Sequence, residues 1–199
     1  FRVLSDYERT LSAADQLDRA GYDRRSLAAI LLTHAHWDHT SGLPDFPGTP
    51  VWLPAAERDY IRDGAFSHVA RSFVDVQYRE YTFPGGSYLG FPRSHDVYGD
   101  GAIVIVPAPG HTPGSVIIFV TLPTGARYAF VGDLVWQREG ITQREEKPWI
   151  VRTFVDLDAA GVRLQLLRMA AIVDRFPDIT LVPAHDARGF AGLPTFPPR

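Results

Sequence analysis

Cysteine is absent from the 199 residues of this sequence. Its absence excludes disulfide bonds, thiolate nucleophiles and sulfur ligands to metals, and it leaves the redox compartment open. Any metal ion bound by this chain must therefore be held by histidine, aspartate or glutamate side chains.

The sequence also lacks an excess of positive charge and a long apolar run. The formal net charge is -3 at pH 7 and the isoelectric point is about 6.2, so no nucleic-acid partner is expected. No stretch approaches the roughly 18 uninterrupted apolar residues of a membrane span, and the first residues do not begin a signal peptide. We predict a soluble, cytoplasmic protein with no membrane partner. The first residue is not Met, and the true N-terminus is expected upstream.

The hydrophobic content of 45% supplies the core of one domain, and we predict a single domain over residues 1–199. Short continuous apolar runs predict strands that are buried on both faces, and three- and four-residue spacings predict amphipathic helices between them. The predicted strands are 28–32, 102–106, 115–121, 128–131 and 179–182, and the predicted helices are 4–20, 54–63 and 158–175. This alternation indicates the α/β class.

Histidines and aspartates follow four of the predicted strands. His34, His36, Asp38 and His39 come directly after the first strand, and the later candidates are His111, Asp133 and His185. The carboxyl ends of strands in layered α/β folds converge on one crevice, so all seven side chains are predicted to share one site. Imidazole and carboxylate ligands suit zinc, and also iron, manganese or cobalt. Two such metals about 3.5–4 Å apart can hold a bridging hydroxide at neutral pH.

Four motifs carry a resemblance to a known family: "THAHWDH" (33–39), "PGHTPGS" (109–115), "GDLVW" (132–136) and "PAHD" (183–186). In these motifs and their order the sequence resembles the metallo-β-lactamase superfamily of hydrolases, and its layout is closest to lactonase and glyoxalase II-like members. The resemblance implies a four-layer αβ/βα sandwich with the metals at one edge between two sheets. The family's N-terminal strands are missing from this chain, and we expect them in the full-length protein.

The resemblance also assigns roles to the candidate residues. It implies a first metal site of His34, His36 and His111, a second site of Asp38, His39 and His185, and Asp133 as the bridge. Asp38 would also be catalytic, as the proton carrier to the leaving group. Two tryptophans, Trp37 and Trp136, are the predicted substrate-binding residues, and Thr112 is predicted to hydrogen-bond close to the metal ligands.

At two positions this chain differs from members of the superfamily, and these differences narrow the range of expected substrates. β-Lactamases of this fold commonly use a cysteine ligand where this chain has Asp133, so penicillin hydrolysis is not expected. Many lactonases have a tyrosine three residues after the bridging aspartate, and this chain has Trp136 there. We predict a dinuclear hydrolase that uses a metal-bridging hydroxide to open a lactone, ester or thioester. Its partner would be a small molecule with an ester-like carbonyl, and a homodimer is possible.

The alternative is an oxidoreductase that resembles the persulfide dioxygenases of the same superfamily. These enzymes use one iron held by residues that match His34, His111 and Asp133, with positions left open for oxygen. A metal-binding protein without catalysis is a third, weaker alternative.

Three other features have simpler interpretations. Residues 65–99 are rich in aromatic residues and glycine, and they are predicted to pack on the domain or to form a lid over the substrate. His68 and His95 are expected to be structural or surface residues. The charged run 144–147 is expected to be a solvated face.

Overall fold

The computed structural model describes residues 11–195, in which eight strands form two sheets. The strands are β1 (Ile30–Leu31), β2 (Val51–Pro54), β3 (Tyr78–Tyr81), β4 (His95–Asp96), β5 (Ile103–Pro107), β6 (Val116–Thr121), β7 (Arg127–Gly132) and β8 (Ile179–Pro183). The α-helices are α1 (Ala13–Arg19), α2 (Trp37–Thr40), α3 (Ala55–Asp63), α4 (His68–Ser72), α5 (Arg138–Thr142), α6 (Trp149–Val155), α7 (Ala159–Arg175) and α8 (Ala187–Ala191). Two short 3-10 helices cover Arg24–Ser26 and Leu43–Asp45.

The two sheets differ in strand direction. The smaller sheet has the order β1-β2-β3, and its strands are parallel. The larger sheet runs in sequence order from β4 to β8, with antiparallel neighbours as far as β7 and a parallel pair of β7 and β8. Because β7 and β8 are parallel, the segments that follow them leave the same edge of the sheet.

Alternating side chains of β5 and β6 face two different hydrophobic layers. The first set packs towards α7, and its members are Val104, Val106, Ile117 and Phe119. The second set packs towards the smaller sheet, and its members are Ile105, Val116 and Ile118. Since successive residues of a strand point to opposite faces, a continuous apolar run is what a strand between two layers requires.

The other face of the smaller sheet is covered by helices. Leu53 of β2 packs with Ile61 of α3 and Ala70 of α4, and all three side chains are buried. The layer order is therefore α7, larger sheet, smaller sheet, and α3 with α4. This order confirms the predicted αβ/βα sandwich.

The five predicted strands and the helices at 54–63 and 158–175 are present, with small shifts of their ends. The prediction of a first helix over residues 4–20 was wrong at residues 11 and 12, which are not helical. Residues 4–10 lie outside the described residues. α1 begins after Ser12, whose side chain accepts from Asp15 N while the Asp15 carboxylate accepts from Ser12 N. This capping box fixes the start of the helix and keeps it from extending towards the N-terminus.

Residues 65–99 contain α4, β3 and β4. Tyr81 is buried between the sheets and Phe91 is buried in the cluster that includes α7, whereas Tyr98 is 65% exposed. The lid and the single-domain organisation stay predictions. Within residues 11–195, no helix is both long enough and apolar enough to cross a membrane.

Candidate metal centre

The motif after β1 is divided by the start of a helix. His34 and His36 lie in the loop after β1, and His36, whose backbone is extended, is the residue that precedes α2. Asp38 and His39 lie on the single turn of α2, where Thr40 Oγ1 donates to the carbonyl of His36 at 2.9 Å. The rings of the first two histidines lie 4.7 Å apart, and the helical turn carries the other two side chains.

Asp133 follows an irregularity in β7. The pairing of β7 with β8 shifts register between Phe130 and Gly132. Gly132 has φ +53°, and a Cβ at this position would lie 2.9 Å from Thr33 Cβ. Glycine is therefore required where β7 passes the segment after β1, and the bulge directs Asp133 into the space between the sheets.

The structure brings the seven predicted ligands into two neighbouring clusters. In the first, the rings of His34, His36 and His111 have centroid distances of 4.5–4.7 Å, and all three side chains are buried. The second cluster consists of Asp38, His39 and His185, and a carboxylate oxygen of Asp133 lies within 4.8 Å of their ligand atoms. Within each cluster, one possible ligand atom per residue lies within 4.8 Å of the others.

Asp133 lies between the two clusters. Its Oδ2 atom is 3.6 Å from His111 Nε2 in the first cluster and 3.1 Å from His185 Nε2 in the second. Its Oδ1 atom is 3.2 Å from His39 Nε2. One carboxylate therefore contacts histidines of both clusters.

Each imidazole of the first cluster has one ring nitrogen in contact with a residue outside the cluster. His34 Nδ1 is 3.3 Å from Thr33 Oγ1, His36 Nε2 is 3.1 Å from Tyr60 OH, and His111 Nδ1 donates to Asp156 Oδ1 at 2.7 Å. Such outer contacts fix the orientation and tautomer of histidines that bind metals.

Buried polar atoms at the centre lack hydrogen-bond partners. They are His34 Nε2 and His111 Nε2. Burying nitrogen and oxygen atoms without partners is costly, and a cation between the clusters would satisfy these atoms. With imidazole and carboxylate donors, the residues fit divalent metal ions such as zinc.

Burial keeps His34 and His36 uncharged. It lowers the pKa of His34 well below its usual value, and burial together with the neighbouring His111 lowers the pKa of His36 to about 3. Neutral imidazole is the form that binds metals, so these two histidines are ready to bind at neutral pH.

Asp133 and His185 shift each other's pKa in opposite directions. Burial alone would raise the pKa of Asp133, but hydrogen bonds from His185 and His39 outweigh it and hold the pKa well below its usual range. The hydrogen bond to Asp133 in turn raises the pKa of His185. Asp133 is therefore ionised, as a bridging carboxylate must be.

Glu57 is a site residue that sequence reasoning missed. Its buried carboxylate accepts from Ala35 N at 2.6 Å, from Thr112 Oγ1 at 2.7 Å and from Gly114 N at 3.0 Å. It thus connects the segment of His34 and His36 with the segment of His111. Burial raises the pKa of Glu57, although these donors lower it. The available signal was its position on the apolar face of the predicted helix 54–63, together with Tyr60 and Ile61.

Thr112, predicted to hydrogen-bond near the ligands, contacts Glu57 and Ser115. A Cβ on Gly114 would lie 2.3 Å from Glu57 N, so this loop approaches α3 more closely than any larger residue permits. The "PGHTPGS" loop is therefore fastened to α3 by hydrogen bonds and by a close backbone contact.

The prediction that residues 144–147 form a solvated face was wrong for the last of these residues. Lys147 is buried, and its Nζ atom lies 2.5 Å from Asp156 Oδ1, the same atom that accepts from His111 Nδ1. Burial would raise the pKa of Asp156, but His111 and Lys147 together lower it. A single buried charge among exposed ones gives no periodic pattern, which is why the sequence did not reveal this pair.

The two predicted substrate-binding tryptophans occupy different positions. Trp136 is half-buried, and its ring centroid is 6.1 Å from that of His185. It lines a cleft of about 440 Å³ together with Lys147 and His185. Trp37 is 51% exposed at the start of α2. His68 and His95 belong to neither cluster.

A sequence model described as the metallo-beta-lactamase superfamily matches residues 4–185. The chain belongs to this superfamily. The match covers the larger part of the chain and includes all seven clustered residues, so the predicted membership is confirmed.

Curated relatives of the chain are named as hydrolases. A probable metallo-hydrolase from Mycobacterium tuberculosis is 28% identical over 194 residues, which cover 88% of this chain and 60% of the relative. N-acyl homoserine lactonase AttM from Rhizobium radiobacter is 27% identical over 188 residues, which cover 92% of this chain and 67% of the relative. The chain thus spans about two thirds or less of the length of these relatives.

A solved structure shares the fold. It is an N-acyl homoserine lactone hydrolase with the product N-hexanoyl-L-homoserine bound at its catalytic metal centre. It superposes with a TM-score of 0.70 at 19% identity, and the match covers 92% of this chain and 66% of that one.

Proposed function

We propose that this chain carries the catalytic centre of a dinuclear metal-dependent hydrolase that opens a lactone, ester or thioester. The observation that carries the proposal is the position of Asp133 between two clusters of metal-binding side chains, 3.6 Å from His111 and 3.1 Å from His185. A lactone is the preferred substrate because AttM, a relative that matches 92% of this chain, is named as a lactonase.

Each cluster would hold one metal ion. His34, His36 and His111 would bind the first ion, Asp38, His39 and His185 the second, and Asp133 would bind both. Zinc suits these ligands. When bound, such a pair of ions activates water at neutral pH and polarises a carbonyl group.

The remaining steps belong to the protein. Asp38 is 28% exposed, so its carboxylate reaches the substrate side of the centre while its Oδ2 atom stays 3.4 Å from His185 Nε2. We assign to Asp38 the transfer of a proton to the leaving oxygen, nitrogen or sulfur atom. Trp136, beside His185 in the open cleft, would form an apolar wall for the substrate.

The geometry favours this proposal over the single-iron dioxygenase. A site of His34, His111 and Asp133 would leave the second cluster without a function, although His39 and His185 both contact Asp133 within 3.2 Å. Two metals account for both clusters.

The deciding experiment is metal analysis by elemental mass spectrometry on the full chain, purified without added metal. Two equivalents of divalent metal per chain are expected, together with hydrolysis of at least one substrate in a panel of N-acyl homoserine lactones, aryl esters and thioesters. The Asp133→Ala variant should lose metal and turnover, whereas Asp178→Ala, a surface control on the segment before β8, should keep both. Near-normal turnover of Asp133→Ala, or one iron with oxygen uptake in the presence of glutathione persulfide, would contradict the proposal.

A further inference from the structure

Lys147 is the only lysine in the chain, and all the other permanently charged basic side chains are arginines. Its side chain is 1% exposed, and the side chain of its partner Asp156 is 2% exposed. Arginine presents a planar fork of five donors, whereas lysine presents a compact charge that can approach a single oxygen atom. The single lysine thus lies where a buried positive charge contacts one carboxylate oxygen.

The segment between these two residues has little other attachment to the core. Lys147 and Asp156 lie on either side of α6, and none of the seven residues of α6 is buried. Trp149 and Phe154 of this helix are each 70% exposed. The buried ion pair therefore joins the two ends of the α6 segment. It holds this helix beside the cleft that His185 lines.

The same carboxylate oxygen connects this pair to the metal centre. Asp156 Oδ1 accepts from Lys147 Nζ at 2.5 Å and from His111 Nδ1 at 2.7 Å. The other ring nitrogen, His111 Nε2, is buried without a hydrogen-bond partner and lies 3.6 Å from Asp133 Oδ2. The position of Asp156 thus decides where His111 directs its free nitrogen.

We propose that Lys147 is a positioning residue: by fixing Asp156, it orients His111 towards the metal centre and fastens α6 at the edge of the substrate cleft. This inference rests on the proposed metal-dependent function. An outer partner of a metal-binding histidine typically contributes 10- to 100-fold to metal affinity, and Lys147 acts one contact further out. Its removal should therefore weaken the binding of one metal ion by about tenfold.

The test compares Lys147→Met, Asp156→Asn and the double variant with the full wild-type chain. Zinc affinity is measured by competition with a chromophoric chelator, and the Nδ1 proton of His111 is observed by NMR in the zinc-loaded protein with labelled histidine. Arg127→Met is the control, because Arg127 forms its ion pair with Asp178 at the far end of β7.

Lys147→Met should lose about tenfold in affinity for one zinc ion only, and the His111 signal should shift. The double variant should bind zinc no more weakly than Asp156→Asn, because both changes act through the same contact. Arg127→Met should bind both ions as the wild type does.

Native zinc affinity and an unchanged His111 signal in Lys147→Met would overturn the inference, whatever its melting temperature. If Lys147→Met does not fold, Lys147→Gln, whose amide is neutral and one bond shorter than the lysine side chain, is measured instead with the same expected direction, and native affinity there overturns the inference equally. A wild-type chain that binds no zinc would contradict the proposed function itself, so the two failures are distinguishable.

Discussion

The carboxylate of Glu57 accepts a hydrogen bond from Thr112 at 2.7 Å, although the two residues are 55 positions apart in the sequence. Through this contact, α3 holds together two loops that the chain supplies from different sheets. The candidate metal-binding histidines are thus positioned by a buried carboxylate that would not itself bind a metal.

Glu57→Gln should destabilise the protein by about 2 kcal/mol, because a buried charged acceptor is replaced by an amide whose NH₂ group faces other donors. The measurement is chemical denaturation, with Glu80→Gln on the exposed face of β3 as the matched control. Equal stability of the two variants would show that the carboxylate does not hold the loops.

Gly132→Ala should cost roughly 2–3 kcal/mol and weaken metal binding, because the new Cβ would strain a backbone with φ +53° and press on Thr33. Gly125→Ala is the matched control, since Gly125 has φ +86° but no atom near its Cβ position. The control should lose about 1 kcal/mol through backbone strain alone and keep its metal. If both variants behave alike, the close approach to Thr33 has no effect on the centre.

Removal of metal with a chelator should lower the melting temperature. A ligand present at one hundred times its dissociation constant stabilises the folded state by about 2.7 kcal/mol, and the buried atoms without partners lose their cation when the metal leaves. Calorimetry with and without added zinc measures the change. Asp133→Ala should show little response to zinc, and a wild-type response no larger than that of this variant would count against the metal centre.

Trp136→Ala should raise KM by roughly tenfold, equivalent to about 1.4 kcal/mol of lost binding, because the substrate would lose an aromatic contact beside His185. The value of kcat should change less, since Trp136 has no part in proton transfer. Steady-state kinetics on the best substrate of the panel supplies both constants, with Tyr98→Ala as a surface control. A loss confined to kcat would place Trp136 in the chemical step instead.

The strands that the sequence did not predict are β2 and β3 of the smaller sheet and β4 of the larger sheet. β3 reads Tyr78-Arg79-Glu80-Tyr81, with two exposed charged residues at its centre, and β4 has only two residues. A strand at the edge of a sheet needs no continuous apolar run, so its residues carry little signal until the partner strand is known.

The sequence alone determined the α/β class, the buried strands and the seven candidate ligands, because these depend on local patterns: apolar runs, and histidine or aspartate directly after them. Only the tertiary structure decided that Glu57 connects two loops and that Lys147 is buried against Asp156. The physical reason is that the contacts of Glu57 with Thr112 and of Asp156 with His111 join residues 55 and 45 positions apart in the chain, and such contacts leave no periodic trace in the sequence.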